Sequence, residues 1–525
     1  MKERPEYVVN FKKPAATEIK EISGNWYLYE RSYVYDPSIR RSRKVSGPCL
    51  GKITANGLVP SKRRMVKTDQ TILSDTIDVG SVIYYWERTA ALRARLRKAF
   101  PDLWQSIYCI VLLRLFKDVR FKRLQLHLEN SLLGHLFPEV YFSAGTITSL
   151  LRDLGKQRDK IAALMREDLD SRDAFILFDG HRLITSSKSI EFAELGYDSK
   201  MRFKPQTNLL YVFSLTEEGG IPGYYKQYVG STPDVSAFKD ILNESRLTGD
   251  QYTIVGDKGF GSEDGFDQIG DSGLNYIIPL KRGNRYIEAP DSPAKYAGMF
   301  TFHKRAIHFK PFAHEDFVVW LFYDAQLYAN EVTDVYERQQ ARNEARTRRR
   351  EKLASQGKEL PEGILEELKL ETFEDMHEKH PEMGTFSIRT NRKDLSGEDV
   401  YRIYKRRQAI EQFFKTYGET LEFEASYMRS RTSQEAWLFL NHLSAQLGME
   451  SLEEIEATGE KKSVSLEDLH QALGKITASK ILGQWQIAPI KKSVQSILGR
   501  LEVEVSEANL KATFNTAALE RASHT

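Results

Sequence analysis

The sequence predicts an α/β protein of several domains, and three observations support this prediction. The chain has 525 residues, more than one compact hydrophobic core can organise. Residues 72–168 place apolar side chains every three or four positions, which is typical of helices. Residues 174–280 instead give three strands, a helix, a strand, a helix and a strand. This order predicts an α/β sheet that begins with an antiparallel meander.

Composition and cysteine content restrict the class of protein further. Hydrophobic residues make up 41% of the chain, which suffices for globular folding. No run of about 18 apolar residues predicts a membrane span, and the N-terminal residues lack the apolar segment of a secretory signal. The only cysteines, Cys49 and Cys109, do not have metal-ligand spacing. We therefore expect a protein of the reducing cytoplasm, with no structural zinc and no membrane partner.

Charge is distributed unevenly along the chain. Residues 1–130 contain 25 Lys and Arg against 13 Asp and Glu, a net charge of +12, whereas residues 131–525 carry −9. This asymmetry predicts that the front of the chain binds an anionic polymer; a solvated basic surface is the alternative. The candidate contacts are clustered basic residues: Arg40, Arg41, Arg43, Lys44, Lys62, Arg63, Arg64 and Lys67.

Two elements precede the α/β region. Residues 25–60 predict short strands, with alternating aromatic and polar side chains in "NWYLYERSYVYD". Farther along, "FSAGTITSLLRDLG" offers Ser143 as an N-cap and predicts a helix. That helix fits either a recognition helix in a DNA groove or one member of a plain helical bundle.

The strand "AFILFDGHRLIT" carries one carboxylate, Asp179, among apolar residues. Burying an ionised carboxylate is costly unless a cation or hydrogen bonds compensate it. A second carboxylate, Asp257, ends the strand in "QYTIVGDKGFG", at the carboxyl edge where α/β sheets bind ligands. If the two strands are neighbours, a divalent cation would keep both carboxylates ionised. The alternative for each residue is a hydrogen-bonded structural Asp.

A third ligand is predicted on a later helix, in "GEDVYRIYKRRQAIEQFFKTYGETL". Tyr404, Arg407 and Glu411 are spaced at i, i+3 and i+7. Lys415 lies four residues beyond Glu411, so all four share one helical face. Docked against the sheet, Glu411 would reach the same cation. An exposed salt bridge from Glu411 to Arg407 or Lys415 is the alternative.

The 154 residues between Asp257 and Glu411 exceed what one strand and one helix need, and leave residues 281–385 for an inserted domain. The insertion predicts strands up to about residue 330 and a charged helix afterwards. The arginines of that helix either bind phosphates along DNA or form a solvated surface. They are Arg338, Arg342, Arg346, Arg348, Arg349 and Arg350.

The chain resembles the DDE transposases of bacterial insertion sequences. The group concerned has a Tyr-x2-Arg-x3-Glu-x6-Lys pattern around its third carboxylate and a ribonuclease-H-like core interrupted by a β-rich insertion. The matching residues are Asp179, Asp257, Tyr404, Arg407 and Glu411. Gly418 stands at the lysine position of the pattern, and Lys415 can take its place from one turn earlier.

The resemblance implies a mechanism and partners. The three carboxylates would bind two Mg²⁺ or Mn²⁺ ions about 3.5–4 Å apart, and the enzyme would cut transposon ends and join the freed 3′-OH to target DNA. Tyr404, Arg407 and Lys415 would hold DNA phosphates there. Trp320 resembles an aromatic residue that stacks on a flipped base in some relatives, with a core position as the alternative. We expect double-stranded DNA as partner, a homodimer on paired ends, and a location at the bacterial nucleoid.

Two other functions remain open at this point. One is a ribonuclease-H-like nuclease that cuts DNA without joining it, and the other is a catalytically inactive DNA-binding derivative. The domains predicted are a basic β-rich N-terminal region (1–70), a helical DNA-binding domain (71–168), the catalytic core in two parts (169–280 and 386–450), the insertion (281–385) and a C-terminal helical region (451–525).

Overall fold

The computed structural model describes two compact units. Unit one comprises Met1–Arg88, Leu128–Pro138 and Glu467–Thr525, and unit two comprises Thr89–His127 and Glu139–Leu466. The residues described within them are 4–36, 41–60, 73–117, 119–170, 175–185, 190, 193–197, 203–215, 220–232, 234–288, 295–355, 362–407, 410, 425–460 and 463–522. Within these ranges, no helix is long and apolar enough to cross a lipid bilayer.

Unit one contains a four-stranded antiparallel sheet in the order β1-β2-β3-β4. Its strands are β1 (Thr17–Ile22), β2 (Asn25–Asp36), β3 (Arg41–Thr54) and β4 (Gly57–Pro60). Alternation along β2 sends Trp26 and Leu28 to one face, where they pack with Leu50, Ile53 and Val8. Val8 comes from a short helix, α1 (Glu6–Val9). Strands over residues 25–60 are therefore confirmed, but β2 and β3, with 12 and 14 residues, are not the short strands predicted.

A second sheet of unit one joins the front of the chain to its end. Its strand order is β18-β17-β5, and Ile77 of β5 lies opposite Ala478 of β17. The elements are β5 (Leu73–Asp78), β17 (Thr477–Ile481), β18 (Gln484–Ile487), α2 (Gly80–Arg88), α6 (Leu132–Leu136), α16 (Leu466–Leu473), α17 (Lys492–Arg500) and α18 (Glu507–Ala522). Buried Tyr85 of α2 places its hydroxyl 2.7 Å from Nε2 of His470 in α16.

Two helices of unit two, Trp104–Lys117 and Ala144–Gly155, pack against the long helix Arg431–Ala457. The helices in this part of the unit are α3 (Ala90–Ala99), α4 (Trp104–Lys117), α5 (Leu124–Glu129), α7 (Ala144–Gly155), α8 (Arg158–Asp170) and α15 (Arg431–Ala457). Helix α7 begins at the predicted cap, because Oγ of Ser143 accepts a hydrogen bond from the Thr146 amide at 3.1 Å. Its apolar face packs on α15, so closely that a Cβ on Gly155 would lie 1.7 Å from the carbonyl oxygen of Thr432. This packed face fits the bundle alternative for α7.

The main sheet of unit two has 11 strands. They are β6 (Phe175–Thr185), β7 (Glu194–Tyr197), β8 (Phe203–Leu215), β9 (Gly220–Tyr228), β10 (Thr253–Val255), β11 (Asn275–Pro279), β12 (Gly298–Phe302), β13 (Arg305–Ala313), β14 (Val318–Asp324), β15 (Thr385–Thr390) and β16 (Ala425–Ser426). The order is β12-β13-β14-β15-β11-β10-β6-β8-β7, with β9 beside β8 and β16 beside β6. Strand β6 is parallel to β10, and β6, β8 and β9 form the predicted antiparallel meander. The mixed α/β fold is confirmed.

Strands of the predicted insertion extend this same sheet. Strand β14 pairs with β15, which in turn pairs with β11, so β12 to β14 continue the sheet beyond β15. The accompanying helices are α9 (Asp234–Ser245), α10 (Glu263–Asp271), α11 (Ala325–Ser355), α12 (Glu362–Glu367), α13 (Phe373–Lys379) and α14 (Gly397–Lys405). Helix α11 is the charged helix that the sequence predicts after residue 330.

Two local predictions are wrong. Strand β10 ends at Val255, so Asp257 lies two residues beyond the strand instead of ending it. Helix α14 ends at Lys405, so Arg407 follows the helix instead of lying within it. The physical reason is a tightening of the turn, because the amide of Arg407 bonds to the carbonyl of Tyr404, three residues back, at 3.2 Å.

Candidate active site

Asp179 lies in the middle of β6, as the sequence predicts. Its neighbour Phe178 is fully buried, whereas the Asp179 side chain keeps 23% of its surface exposed. Across the sheet it lies opposite Tyr211 of β8. The carboxylate is therefore half-buried at the surface of the sheet, which reduces the cost of keeping it charged.

Asp257 lies in the turn that follows β10. Its Oδ1 accepts a hydrogen bond from the Lys258 amide at 2.6 Å and so caps a short 3₁₀ turn, Lys258–Phe260. The turn runs close to the neighbouring strand, since a Cβ on Gly261 would lie 2.7 Å from the carbonyl oxygen of Pro279. The Asp257 side chain is 48% exposed, so the carboxylate is accessible to a ligand.

Arg407 brings the two carboxylates together. Its Nη1 lies 3.3 Å from Oδ1 of Asp257, and its Nη2 lies 3.8 Å from Oδ1 of Asp179. Burial by itself lowers the pKa of Arg407, but Asp257, Tyr404 and Asp179 raise that pKa above its ordinary value. The parallel pairing of β6 with β10 places both carboxylates within reach of one cationic group.

The donor set suits a divalent cation. Asp179 and Asp257 both direct carboxylate oxygens toward Arg407, at a partly exposed position. Mg²⁺ and Mn²⁺ prefer such hard oxygen ligands. Among the described residues, no group of three or more His, Cys, Asp or Glu is placed to hold a metal ion. The predicted third ligand, Glu411, lies outside the described residues, as do Lys415 and Gly418.

The basic residues predicted to bind DNA near the N-terminus are described only in part. Arg41 and Arg43 are exposed on β3. Lys44, on the same strand, forms a salt bridge with Glu18, and Lys44 and then Ser46 are the main causes that lower the pKa of Glu18 to about 2. The remaining candidates lie outside the described residues: Arg40, Lys62, Arg63, Arg64 and Lys67.

Several arginines of α11 already have acidic partners. Arg342 and Arg346 lie 3.2 Å and 3.4 Å from carboxylate oxygens of Glu371, and Arg349 lies 2.8 Å from Oε1 of Glu367. This partial neutralisation favours the solvated-surface alternative, and DNA binding by α11 stays a prediction. Further pairs join Arg338 to Asp334 and Arg348 to Glu344.

Trp320 lies in the middle of β14 and is half-buried. Its strand neighbours are Pro311 and Ile388, and the ring of Phe309 lies 5.8 Å away. A Cβ on Gly397 would lie 2.7 Å from the indole ring, so α14 packs directly against it. This environment favours the core position for Trp320.

The sequence did not single out Glu435 of α15, which joins helices of unit two to the main sheet. Its carboxylate accepts hydrogen bonds from the Tyr225 hydroxyl at 2.9 Å, from Nε2 of Gln227 at 2.7 Å and from Nη1 of Arg158 at 2.9 Å. These bonds tie α15 and α8 to β9, in the same sheet as β6. The available signal was a lone carboxylate in the apolar run of α15, comparable to Asp179 in its strand.

Comparisons with known proteins identify the family. Residues 171–447, more than half of the chain, match the family model described as "Transposase DDE domain". The chain therefore belongs to the DDE transposase family, a family of DNA transposition and recombination. Among solved structures, the cryo-EM structure of a piggyBac transposase synaptic complex with hairpin DNA matches at 10% identity and a TM-score of 0.36. That match covers 84% of this chain and 85% of the other. No curated protein matches the sequence.

Proposed function

We propose that this chain is the transposase of a bacterial insertion sequence. It binds the terminal inverted repeats, cleaves the ends by metal-dependent phosphodiester hydrolysis and joins the 3′-OH ends to target DNA. The observation that most supports this proposal is the convergence of Asp179 and Asp257 on Arg407. These two carboxylates are separated by 78 residues, and they lie in the region that matches the transposase family.

In this proposal the chain holds two Mg²⁺ or Mn²⁺ ions through Asp179, Asp257 and Glu411. Bound there, the ions would activate a water or a 3′-hydroxyl and stabilise the departing oxygen. Once the metal ions neutralise Asp179 and Asp257, the planar guanidinium of Arg407 would be available to donate hydrogen bonds to a DNA phosphate. Tyr404 and Lys415 would position phosphates beside it.

The uneven charge of the chain supports the same proposal. The net charge of +12 over residues 1–130 suits binding to transposon ends, with an affinity that falls steeply as salt rises. Because two ends are cut in concert, the active form in this proposal is a homodimer on paired ends. It acts at the nucleoid, in the bacterial cytoplasm.

The test is a cleavage and strand-transfer assay on DNA that carries the inverted repeats bracketing the gene. We expect Asp179→Asn, Asp257→Asn and Glu411→Gln to lose cleavage and joining while they retain end binding. Asp271→Asn, at an exposed carboxylate of α10, serves as a control and should keep both activities.

Three results would contradict the proposal. A carboxylate variant that cleaves at the wild-type rate would remove that residue from the ligand set. Cleavage without joining by the wild-type chain would indicate a nuclease, and end binding without cleavage would indicate an inactive derivative.

A further inference from the structure

A cleft of about 230 Å³ is lined by residues that directly follow Asp257 in the chain. One wall is the turn after β10, which contributes Lys258 and Gly259. The other wall follows β11 and contributes Lys281 and Tyr286. Strands β10 and β11 are parallel neighbours, so both walls arise from the carboxyl edge of the sheet.

The cleft carries uncompensated positive charge. Its one carboxylate, Glu263, is already bonded to Arg389 at 3.1 Å and to Arg285 at 3.3 Å. Among the residues that the structure describes, neither Lys258 nor Lys281 has a carboxylate within salt-bridge distance, and both lysines are exposed. A polyanion entering the cleft would therefore meet two available ammonium groups.

One wall of the cleft is closely packed around Arg389. The guanidinium of Arg389 lies between two rings, 4.0 Å from the centroid of Phe266 and 3.7 Å from that of Phe317. Its Nε donates to the Tyr276 hydroxyl at 3.1 Å. Tyr286 packs on Phe317, with ring centroids 5.3 Å apart. A ligand would find this wall already ordered, which lowers the entropic cost of binding.

The turn at Gly259 leaves room for a ligand to approach the backbone. A Cβ added there would meet no atom within 4 Å. A leucine at this position would therefore fill part of the cleft mouth without displacing the fold. Gly270, on α10 outside the cleft, has the same open surroundings and provides a matched position.

We propose that this cleft is a DNA subsite that binds backbone phosphates of the strand next to the scissile phosphate. The proposal rests on the proposed function, because it places the subsite against Asp257 as a metal ligand. The ligand class follows from the exposed lysines, which attract phosphate as point charges and do not read base sequence. The cleft would hold a single strand in place while the neighbouring phosphate is attacked.

The test uses photo-crosslinking of the full chain in EDTA, where no cleavage occurs. The probe is an oligothymidylate of about ten nucleotides, within the usual length of a single-strand site, with 5-iodouracil at alternate positions. We expect a crosslink in the peptide that contains Tyr286. Gly259→Leu should reduce its yield roughly fivefold or more, because the side chain blocks the cleft, whereas Gly270→Leu should not.

Affinity measured by fluorescence anisotropy gives a second readout. Lys281→Gln should weaken binding of the same oligothymidylate and reduce the slope of log K against log salt by about 0.7, the value for one lost phosphate contact. Lys304→Gln, at an exposed lysine of the β12–β13 turn, removes the same charge elsewhere and should change the slope less.

Several outcomes would overturn the proposal. They are the absence of a crosslink at Tyr286, equal yields from Gly259→Leu and Gly270→Leu, or equal slopes from Lys281→Gln and Lys304→Gln. Displacement by thymidine 5′-monophosphate at the same concentration as the oligothymidylate would indicate a mononucleotide site instead of a strand site. Neither the crosslinking nor the anisotropy measurement needs metal or catalysis. A negative result in them would therefore reject the subsite, whereas the cleavage and strand-transfer assay tests the proposed activity.

Discussion

Arg407 Nη1 lies 3.3 Å from Oδ1 of Asp257, and the same guanidinium reaches toward Asp179 at 3.8 Å. Two carboxylates directed at one position repel each other, and a shared cation offsets that repulsion. Arg407 therefore supplies a compensating charge for this pair of carboxylates. A metal ion bound by the same carboxylates, as proposed above, would have to compete with it.

Replacing Arg407 with Gln should tighten Mn²⁺ binding, because the competing charge is removed while the carboxylates remain. We expect a Kd lowered roughly tenfold, the effect of one unit charge near a partly exposed site. Calorimetry or the electron paramagnetic resonance of free Mn²⁺ measures this change. Arg402→Gln, at an exposed arginine of α14 bonded to Glu398 at 2.7 Å, is the control and should leave the Kd unchanged. Unchanged or weaker binding by Arg407→Gln would show that Arg407 does not compete with the metal.

That Asp179 lies in a strand and that Asp257 follows one could be predicted, because each lies in or after an apolar run bounded by turn residues, whereas the pairing of the two strands stayed open. Such runs mark strands locally, and the alternation of strands and helices restricts their order. The contacts of Arg407 could not be predicted in this way. The spacing at i, i+3 and i+7 presupposes a regular helix, whereas the helix ends at Lys405 and the amide of Arg407 bonds to the carbonyl of Tyr404 three residues back.

The pairing of strands that lie far apart in the chain could not be predicted from the sequence either. Ile77 and Ala478 are adjacent in one sheet, although about four hundred residues separate them. A local hydrophobic period can indicate a strand but does not indicate which distant strand pairs with it. The same holds for β14, which joins the core sheet through β15. Its composition predicts a strand but does not identify its partner.

The second prediction concerns acid stability through His470. Burial lowers the pKa of this histidine from 6.5 to about 4, while its ring contacts the Tyr85 hydroxyl. Below pH 6.5 the unfolded chain binds a proton at this position that the folded chain does not. Folding stability should therefore fall by up to about 3 kcal/mol between pH 6.5 and pH 4.

The measurement is thermal unfolding across that pH range, with His470→Gln as the variant. Because glutamine does not titrate, the variant should lose less stability than the wild-type chain as the pH falls. His303→Gln, at an exposed turn position, should follow the wild-type curve. Parallel curves for wild type and His470→Gln would refute the assignment.

The third prediction concerns the ion cluster around Arg158. This side chain lies 2.6 Å from Oε1 of Glu244 and 2.9 Å from Oε1 of Glu435. Burial raises the pKa of Glu244, but Arg158, Lys226 and Tyr224 together lower it to about 2. The stability that Glu244 contributes is therefore present above pH 4.5 and is lost as the pH falls toward 2.

Arg158→Met should destabilise unit two by about 3 kcal/mol, because it leaves two partly buried carboxylates without their main counter-charge. Arg152→Met removes an exposed arginine paired with Asp153 at 3.0 Å and should cost at most about 1 kcal/mol. Denaturant unfolding of both variants measures the difference. Equal losses would show that the Arg158 cluster contributes no more than a surface pair.

The last prediction concerns the contact between α7 and α15. A Cβ on Gly155 would lie 1.7 Å from the carbonyl oxygen of Thr432, a distance that backbone atoms cannot accommodate without moving the helices apart. Gly155→Ala should therefore destabilise the chain by about 2 kcal/mol or more, as overpacking of a core does. Gly145→Ala, in the first turn of the same helix, would meet only Oγ of Ser143 at 3.7 Å. That control should be neutral or slightly stabilising, since alanine favours helices. A melting temperature for Gly155→Ala at or above that of Gly145→Ala would mean that α7 does not dock on α15. The alternative that α7 is a recognition helix in a DNA groove would then be favoured.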